Sequence, residues 1–249
     1  MILLIGGTKD GRDLAKDILN SNFKVLASTA TKYGKDLLGE HPNLTVIYGK
    51  KDYNDMIGVI EHNNIKCIVD ASHPYAENIS RTAIKVAKDK NIPYLRYERL
   101  ETEISGVVRV KSYNEAAEVL KDTTGNIMLT IGSNNLEVIS KLGINRLFVR
   151  VLPSSVVLEK CEKLGFSPTN IIAIQGPFFK EFNREIYRQF DIEFVVTKDG
   201  GEEGGTRNKI EAAIEDGIKV ILIERPKIYY GAIYSEKSKI IDRLNNLCL

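Results

Sequence analysis

The sequence predicts an α/β protein built on parallel sheets, and three observations predict it. Short apolar, β-branched runs alternate with longer amphipathic segments along the chain. The longest apolar runs, Ile127 to Ile131 and Val220 to Ile223 among them, are strand-sized and far too short for a membrane span. Loops carrying glycines or hydroxyls repeatedly separate such a run from the amphipathic segment after it.

The first strand is Ile2 to Ile5; it leaves through glycines into a helix near Asp10, with Leu14, Ala15, Ile18 and Leu19 on its apolar face. Lys24 to Ala27 is the second strand, after which a helix begins near Thr31. Thr45 to Tyr48 precedes a helix starting near Asp52. Cys67 to Val69 leads into "VDASHPYAENISRTA", where Pro74 suits a first helical position and Ser72 or His73 its cap. Tyr94 to Arg96 ends this part. Charges then crowd from Arg96 to Glu103, which sets a boundary between an N-terminal domain, residues 1–98, and a C-terminal domain, residues 99–249. In the second domain the strands are Val107 to Val110, Ile127 to Ile131, Arg146 to Val149, Ile171 to Ile174, Glu193 to Thr197 and Val220 to Ile223. Ser235 to Leu247 reads as a closing helix.

At 249 residues, with 43% hydrophobic and 27% charged, the chain can bury a real core in each domain and is of the soluble globular class. Its 35 basic and 33 acidic residues leave a net charge of +2, so no overall field draws it to nucleic acid or an anionic membrane, and an anionic ligand must be met by local charge. Cys67, Cys161 and Cys248 are scattered and odd in number, which argues against a disulfide framework and for a reduced, cytoplasmic setting. His41, His62 and His73 are equally dispersed, so no bound metal is expected. Met1 leads straight into a strand, without the basic segment of a signal peptide.

Open parallel sheets bind ligands beyond the carboxyl ends of their strands, and two such halves are expected to enclose a cleft. After the first strand comes Gly6-Gly7-Thr8-Lys9-Asp10-Gly11-Arg12. Glycines there let a phosphate approach the backbone at a helix N-terminus; the other reading is a turn that only packs helix on strand. The loop has neither the Gly-Lys-Ser/Thr ending of a Walker motif nor a strict G-x-G-x-x-G. Beyond the second strand, Ser28, Thr29, Thr31 and Lys32 stand where an NAD-binding chain carries an acid for the ribose. Hydroxyls with Lys32 and Arg12 suit a 2'-phosphate, and so NADP, although Ser28 or Thr29 serves equally as a helix cap. His73 divides between capping and a ligand or proton-relay role.

In the second half, "LTIGSNNLEVI" places Gly132-Ser133 after a strand and "AIQGPFFKEFN" does the same with Gln175-Gly176-Pro177. "VVTKDGGEEGGTRNKIEAA" puts Lys198 and Asp199 at a strand end, before four glycines and a helix capped by Thr206. Three such loops on one edge offer many amide donors. Lys198 is either half of a surface ion pair or a charge that orients an anionic substrate or supplies a proton. Arg96, Arg99, Arg150 and Arg225 also lie at or near strand ends.

Taken in order, "LIGGTKDGRDLA", "DASHPYA", "IPYLRYER", "IGSNNL", "RVLP", "QGPFFKEFN", "VVTKDGGEEGG" with "KIEAA", and "IERP" resemble the precorrin-6A reductases, including the cobalt-precorrin-6A forms, of cobalamin biosynthesis. The resemblance runs from the first strand to Pro226. It implies two Rossmann-like domains with a reduced nicotinamide nucleotide, NADPH with NADH as the other candidate, in the cleft between them. It also implies hydride transfer to one double bond of a ring-contracted tetrapyrrole, with a proton added at the neighbouring atom. Carried over, the dinucleotide falls to Gly6, Gly7, Thr8, Gly11, Arg12, Ser28, Thr29, Thr31, His73 and Pro74. The tetrapyrrole falls to Tyr75, Arg96, Ser133, Gln175, Gly176, Pro177, Lys198, Gly200 and Gly201, and the chemistry to Lys198, His73 and Asp199. The proton donor stays open among Lys198, His73, Tyr75 and a water. Gly200 and Phe179 stand where the family often has serine, which removes two hydroxyls from the substrate side. Transient contact with neighbouring enzymes of the pathway is the one protein partnership implied.

Two other functions compete. A two-domain nucleotide-sugar glycosyltransferase-like enzyme also binds a nucleotide between such halves, but the chain is short for one and shows no Asp-x-Asp site. A non-enzymatic dinucleotide sensor calls for an added partner-binding or DNA-binding segment, whereas the α/β rhythm fills the chain.

Overall fold

The computed structural model describes residues 1–201 and 204–247. They form two compact units, one of Met1–Leu100 together with Pro226–Leu249 and the other of Glu101–Arg225. The C-terminal segment, expected with the second domain, therefore packs with the first.

The first unit holds a six-stranded sheet in the order β12-β5-β4-β1-β2-β3, with every neighbouring pair parallel. Its strands are β1 (Ile2–Ile5), β2 (Val25–Thr29), β3 (Leu44–Tyr48), β4 (Cys67–Asp70), β5 (Tyr94–Tyr97) and β12 (Ile233–Tyr234). β1 is buried on both faces, as a central parallel strand must be. Ile2 and Leu4 join the apolar cluster under helices α1 (Lys9–Asn20) and α10 (Lys237–Asn246), while Leu3 and Ile5 join the one under α3 (Tyr53–His62) and α4 (Glu77–Asp89). The short α2 (Lys32–Asp36) links β2 to β3.

The second unit repeats the plan, all parallel, in the order β6-β11-β10-β7-β8-β9. Its strands are β6 (Val108–Val110), β7 (Asn126–Leu129), β8 (Leu147–Val151), β9 (Ile171–Ala173), β10 (Ile192–Lys198) and β11 (Lys219–Ile223), with helices α5 (Tyr113–Leu120), α6 (Leu136–Ser140), α7 (Ser155–Lys163), α8 (Lys180–Gln189) and α9 (Thr206–Glu215). Met128, Val195, Val220 and Leu222 of the sheet meet Tyr187 of α8 and Ile210 and Ala213 of α9.

In each sheet the chain winds outward through three strands and then returns to the other side of the first of them. The switch points lie between β1 and β4 and between β7 and β10. Every strand read from the sequence is present; the two-residue β12 is an addition, too short to carry a pattern. Cys67 and Cys161 are buried free thiols, and Cys248 lies outside the described residues. No helix among the described residues is long and apolar enough to cross a membrane.

Candidate functional site

The loops that leave β1 and β4 flank the switch point of the first unit, where an open parallel sheet offers a ligand both a gap between helices and helix N-termini. Gly6 donates its amide to the Ser28 carbonyl at 3.0 Å. Gly7 sits at φ 127°, a conformation that side-chain-bearing residues rarely adopt. A Cβ added at Gly6 or Gly7 would meet no atom within 4 Å, so the space over the loop is open. Thr8 caps α1 by accepting from the Gly11 amide at 3.0 Å, and its hydroxyl donates to the Ala71 carbonyl at 3.3 Å, tying the two loops together. Gly11 does the packing: a Cβ there would lie 3.3 Å from the Ala71 oxygen and 3.3 Å from the Gly6 Cα. The loop thus packs closely at Gly11 and leaves open space at Gly6 and Gly7.

A small pocket on this edge is lined by Thr8, Asp10, Ala71, Ser72, Pro74 and the run Arg96 to Arg99. Two of its lining residues, Ser72 and Arg96, belong to a buried polar network around Asp70, which is fully inaccessible. Asp70 accepts from Tyr94 at 2.7 Å, Ser80 at 2.6 Å, the Ser72 amide at 2.9 Å and Arg96 at 2.9 Å. Arg96 is itself fully buried, pairs with Glu98 at 2.8 Å and lies 4.8 Å from the Tyr230 ring centre. The expectation that Arg96 offers its charge to a substrate is corrected here: two carboxylates already hold the guanidinium, because a cation without solvent needs such partners. Arg99 pairs with Asp10 at 2.8 Å in the first turn of α1. Arg12 is partly exposed on the same helix.

His73 caps neither helix nor strand. α4 begins only at Glu77, after a turn through Pro74 and Tyr75, so Pro74 is not its first residue and Ser72 is not its cap. The Tyr75 amide donates to His73 Nδ1 at 3.2 Å, and the Ala76 amide to its carbonyl at 2.7 Å. Nδ1 thus serves as the acceptor that closes this turn.

At the end of β2 the expected contacts are redistributed. Ser28 and Thr29 are buried; the Ser28 carbonyl serves Gly6, and the Thr29 hydroxyl donates to the Thr31 carbonyl at 3.0 Å. Neither side chain is open to a phosphate, which corrects their assignment to the dinucleotide. Thr31, not Ser28 or Thr29, caps the helix, accepting from the Gly34 amide at 3.0 Å. Thr31 and Lys32 are exposed at this edge.

In the second unit the loops after β7 and β10 flank the corresponding switch point. Gly132 and Ser133 follow β7, with Ser133 half-buried. Lys198 closes β10, and burial pushes its ammonium down to about 8. Asp199 has another task. Its carboxylate accepts from the Thr102 amide at 3.0 Å, the Thr102 hydroxyl at 2.9 Å and the Gly201 amide at 2.9 Å, and it faces Arg225 at 3.5 Å. An acid engaged this fully as an acceptor shapes the loop, so its expected part in proton transfer is corrected to a structural one. Gly200 and Gly201 are buried, with the Gly200 amide on the Thr206 hydroxyl at 2.9 Å. Their amides serve the loop and are not presented to a substrate, contrary to expectation. Thr206 is the first residue of α9, not its cap; Gly205 holds that place.

Gln175, Gly176 and Pro177 form an exposed loop with a cis Gly176–Pro177 bond. Asn208 donates to the Phe178 carbonyl at 3.2 Å and Asn183 to that of Phe179 at 2.8 Å, which fixes the loop from α9 and α8. Sequence reasoning missed Asp70, Asn183 and Lys209. Asp70 left a signal, an acid ending an apolar strand, and so did Lys209, a cation near the start of a helix, where the dipole disfavours one. Asn183 left none, because its role depends on partners far along the chain.

The family model described as Precorrin-6x reductase CbiJ/CobK matches residues 1–246. Cobalt-precorrin-6A reductase of Priestia megaterium is 42% identical, over 99% of this chain and 98% of its own length. The protein of that name from Methanocaldococcus jannaschii is 37% identical, over 99% and 98%. The solved structure of CobK precorrin-6A reductase overlays with a TM-score of 0.81 at 22% identity, covering 99% of this chain and 96% of that one, a likeness in fold. With nearly every residue inside the family model and full-length relatives at this identity, the chain belongs to the Precorrin-6x reductase CbiJ/CobK family.

Proposed function

We propose that this chain reduces one macrocycle double bond of cobalt-precorrin-6A with NADPH, giving cobalt-precorrin-6B on the way to the corrin ring. One observation carries the reading: relatives 42% and 37% identical over nearly their whole length bear the name cobalt-precorrin-6A reductase. The reaction adds a hydride to one carbon of the double bond and a proton to its neighbour, and leaves NADP⁺. When bound, the reduced nicotinamide supplies the hydride.

The first unit offers what a dinucleotide needs. The open space over Gly6 and Gly7 admits phosphate oxygens, and the first turn of α1 presents N–H groups without acceptors in the helix. Thr31 and Lys32 at the end of β2, with no acid beside them, favour a 2'-phosphate and hence NADPH over NADH. His73 stands in the turn after β4, whose Ala71 carbonyl Thr8 ties to the glycine loop.

Lys198 supplies the proton. With its ammonium at about 8, it is largely protonated at neutral pH yet acidic enough to give the proton up. Asp199 positions it by pinning the following loop. Gln175 and Ser133 reach the acidic side chains of the tetrapyrrole. The test is an anaerobic assay of the full chain with cobalt-precorrin-6A and NADPH. Reduction of the macrocycle matched by NADPH loss is expected; no NADPH oxidation overturns the proposal.

A further inference from the structure

Among the described residues, two cations of the second unit make no ion pair. Arg150, near the end of β8, is 8% exposed, and among the described residues it makes no ion pair. Its Nη1 donates to Asn183 Oδ1 at 2.7 Å, and its guanidinium lies 4.8 Å from the Phe178 ring centre, so the group is held in one orientation without being neutralised. Lys209 of α9 is half-buried, and its ammonium has no hydrogen bond or ion pair among the described residues. The same helix touches both residues: Asn183 holds the Arg150 guanidinium, and one turn later Tyr187 donates to the Lys209 backbone carbonyl at 3.2 Å, which places the two residues along α8. Both supporting residues are almost inaccessible, Asn183 at 0% and Tyr187 at 1%. Lys209 is pushed down to about 7, first by burial and then by Arg150 and Lys198. Among the described residues Asp199 is the acid named as acting on Lys209, and it is already engaged by Thr102, Gly201 and Arg225. A buried guanidinium held without a counter-charge, with a second cation nearby on the same side of α8, is costly until an anion arrives.

We infer that Arg150 and Lys209 form a recessed site in the second unit that takes one carboxylate of the substrate, an inference that rests on the tetrapyrrole reading above. A carboxylate suits the site better than a phosphate. The planar Arg150 fork and a second point donor match two coplanar oxygens, whereas the neighbouring Gly200 and Gly201 amides that could help cradle a phosphate serve their own loop.

The test titrates wild-type enzyme and the variants Lys209→Met, Lys209→Arg and Arg150→Gln with cobalt-precorrin-6A in the absence of NADPH, and separately with NADPH. Each charge removed is expected to weaken tetrapyrrole binding about tenfold or more, the value of a charge-assisted hydrogen bond. Lys209→Arg is expected to restore most of it, and NADPH affinity to hold within about twofold. Circular dichroism melts accompany each variant. Arg150→Gln loosens the Phe178 loop, but Lys209→Met deletes only a poorly solvated ammonium, so it keeps the test meaningful if the first variant unfolds. Unchanged tetrapyrrole affinity in folded Lys209→Met overturns the inference, and so does a loss confined to NADPH, which would assign the pair to a dinucleotide phosphate. If wild type binds and reduces the tetrapyrrole while the variants match it, only this inference falls. If wild type neither binds nor reduces it, the proposed function falls and takes the carboxylate assignment with it.

Discussion

Lys198 and Asp199 are adjacent residues at the end of β10 with opposite surroundings. The lysine is pushed down to about 8 by burial, whereas the aspartate is fixed by Thr102, Gly201 and Arg225. A lysine whose folded value lies below its ordinary one is protonated below that value and loses the proton as pH rises through it. Turnover by the protonated form therefore falls as pH rises past about 8. Lys198→Ala is expected to lower kcat by about 10²–10⁴, the range for a lost general acid, with NADPH affinity little changed and the alkaline limb of the kcat profile gone. A pH–rate profile beside an NADPH titration checks this; equal losses in kcat and NADPH affinity would place Lys198 on the dinucleotide. The strand-end place of Lys198 was legible because it directly follows an apolar, β-branched run. The role of Asp199 was not, since Thr102 lies 97 residues away in sequence.

At the scale of elements, the turn from β1 into α1 divides its work among glycines. Gly11 lets the helix approach the loop after β4, Gly7 supplies a positive φ, and Gly6 borders open space at a φ outside that region. Gly6→Val therefore adds a branched side chain to the cradle without forcing a left-handed backbone. It is expected to weaken NADPH binding at least about tenfold, roughly 1.4 kcal/mol, with the melting temperature nearly unchanged. Calorimetric titration beside a thermal melt reads both; unaltered affinity would show that the loop is only a turn. The strands and this turn were legible because apolar period and glycine placement are local. The start of α4 was not: Pro74 suits a helix start, but the His73 side chain and carbonyl draw the next residues into a turn of their own. The Ser28 and Thr29 hydroxyls misled for a similar reason, since sequence does not tell a buried hydroxyl from an open one.

At the scale of the whole molecule, each unit is wound the same way and has its own switch point. That edge carries Gly6 and His73 in the first unit, and Ser133 and Lys198 in the second. The chain then returns: β12 pairs with β5, and Ile240 and Leu244 of α10, both inaccessible, complete the core of the first unit. Charge crowding marked the first crossing between units, near residue 100, while the second, at Arg225 to Pro226, left only a proline in the sequence. Burial of those two side chains alone is worth about 3–6 kcal/mol. Deleting residues 226–249 is thus expected to remove a large part of a stability that is typically about 5–15 kcal/mol. A circular dichroism melt of the shortened chain should show an early transition, and an unchanged melt would mean that the segment is dispensable to the core. The central claim concerns the hydride, and the most direct test is isotope transfer. The full chain is given cobalt-precorrin-6A and NADPH deuterated at the transferable nicotinamide position, without oxygen, and the product is weighed by mass spectrometry. The account predicts a reduced macrocycle carrying deuterium from NADPH. A reduced product without deuterium, or an unreduced substrate beside unoxidised NADPH, would contradict it.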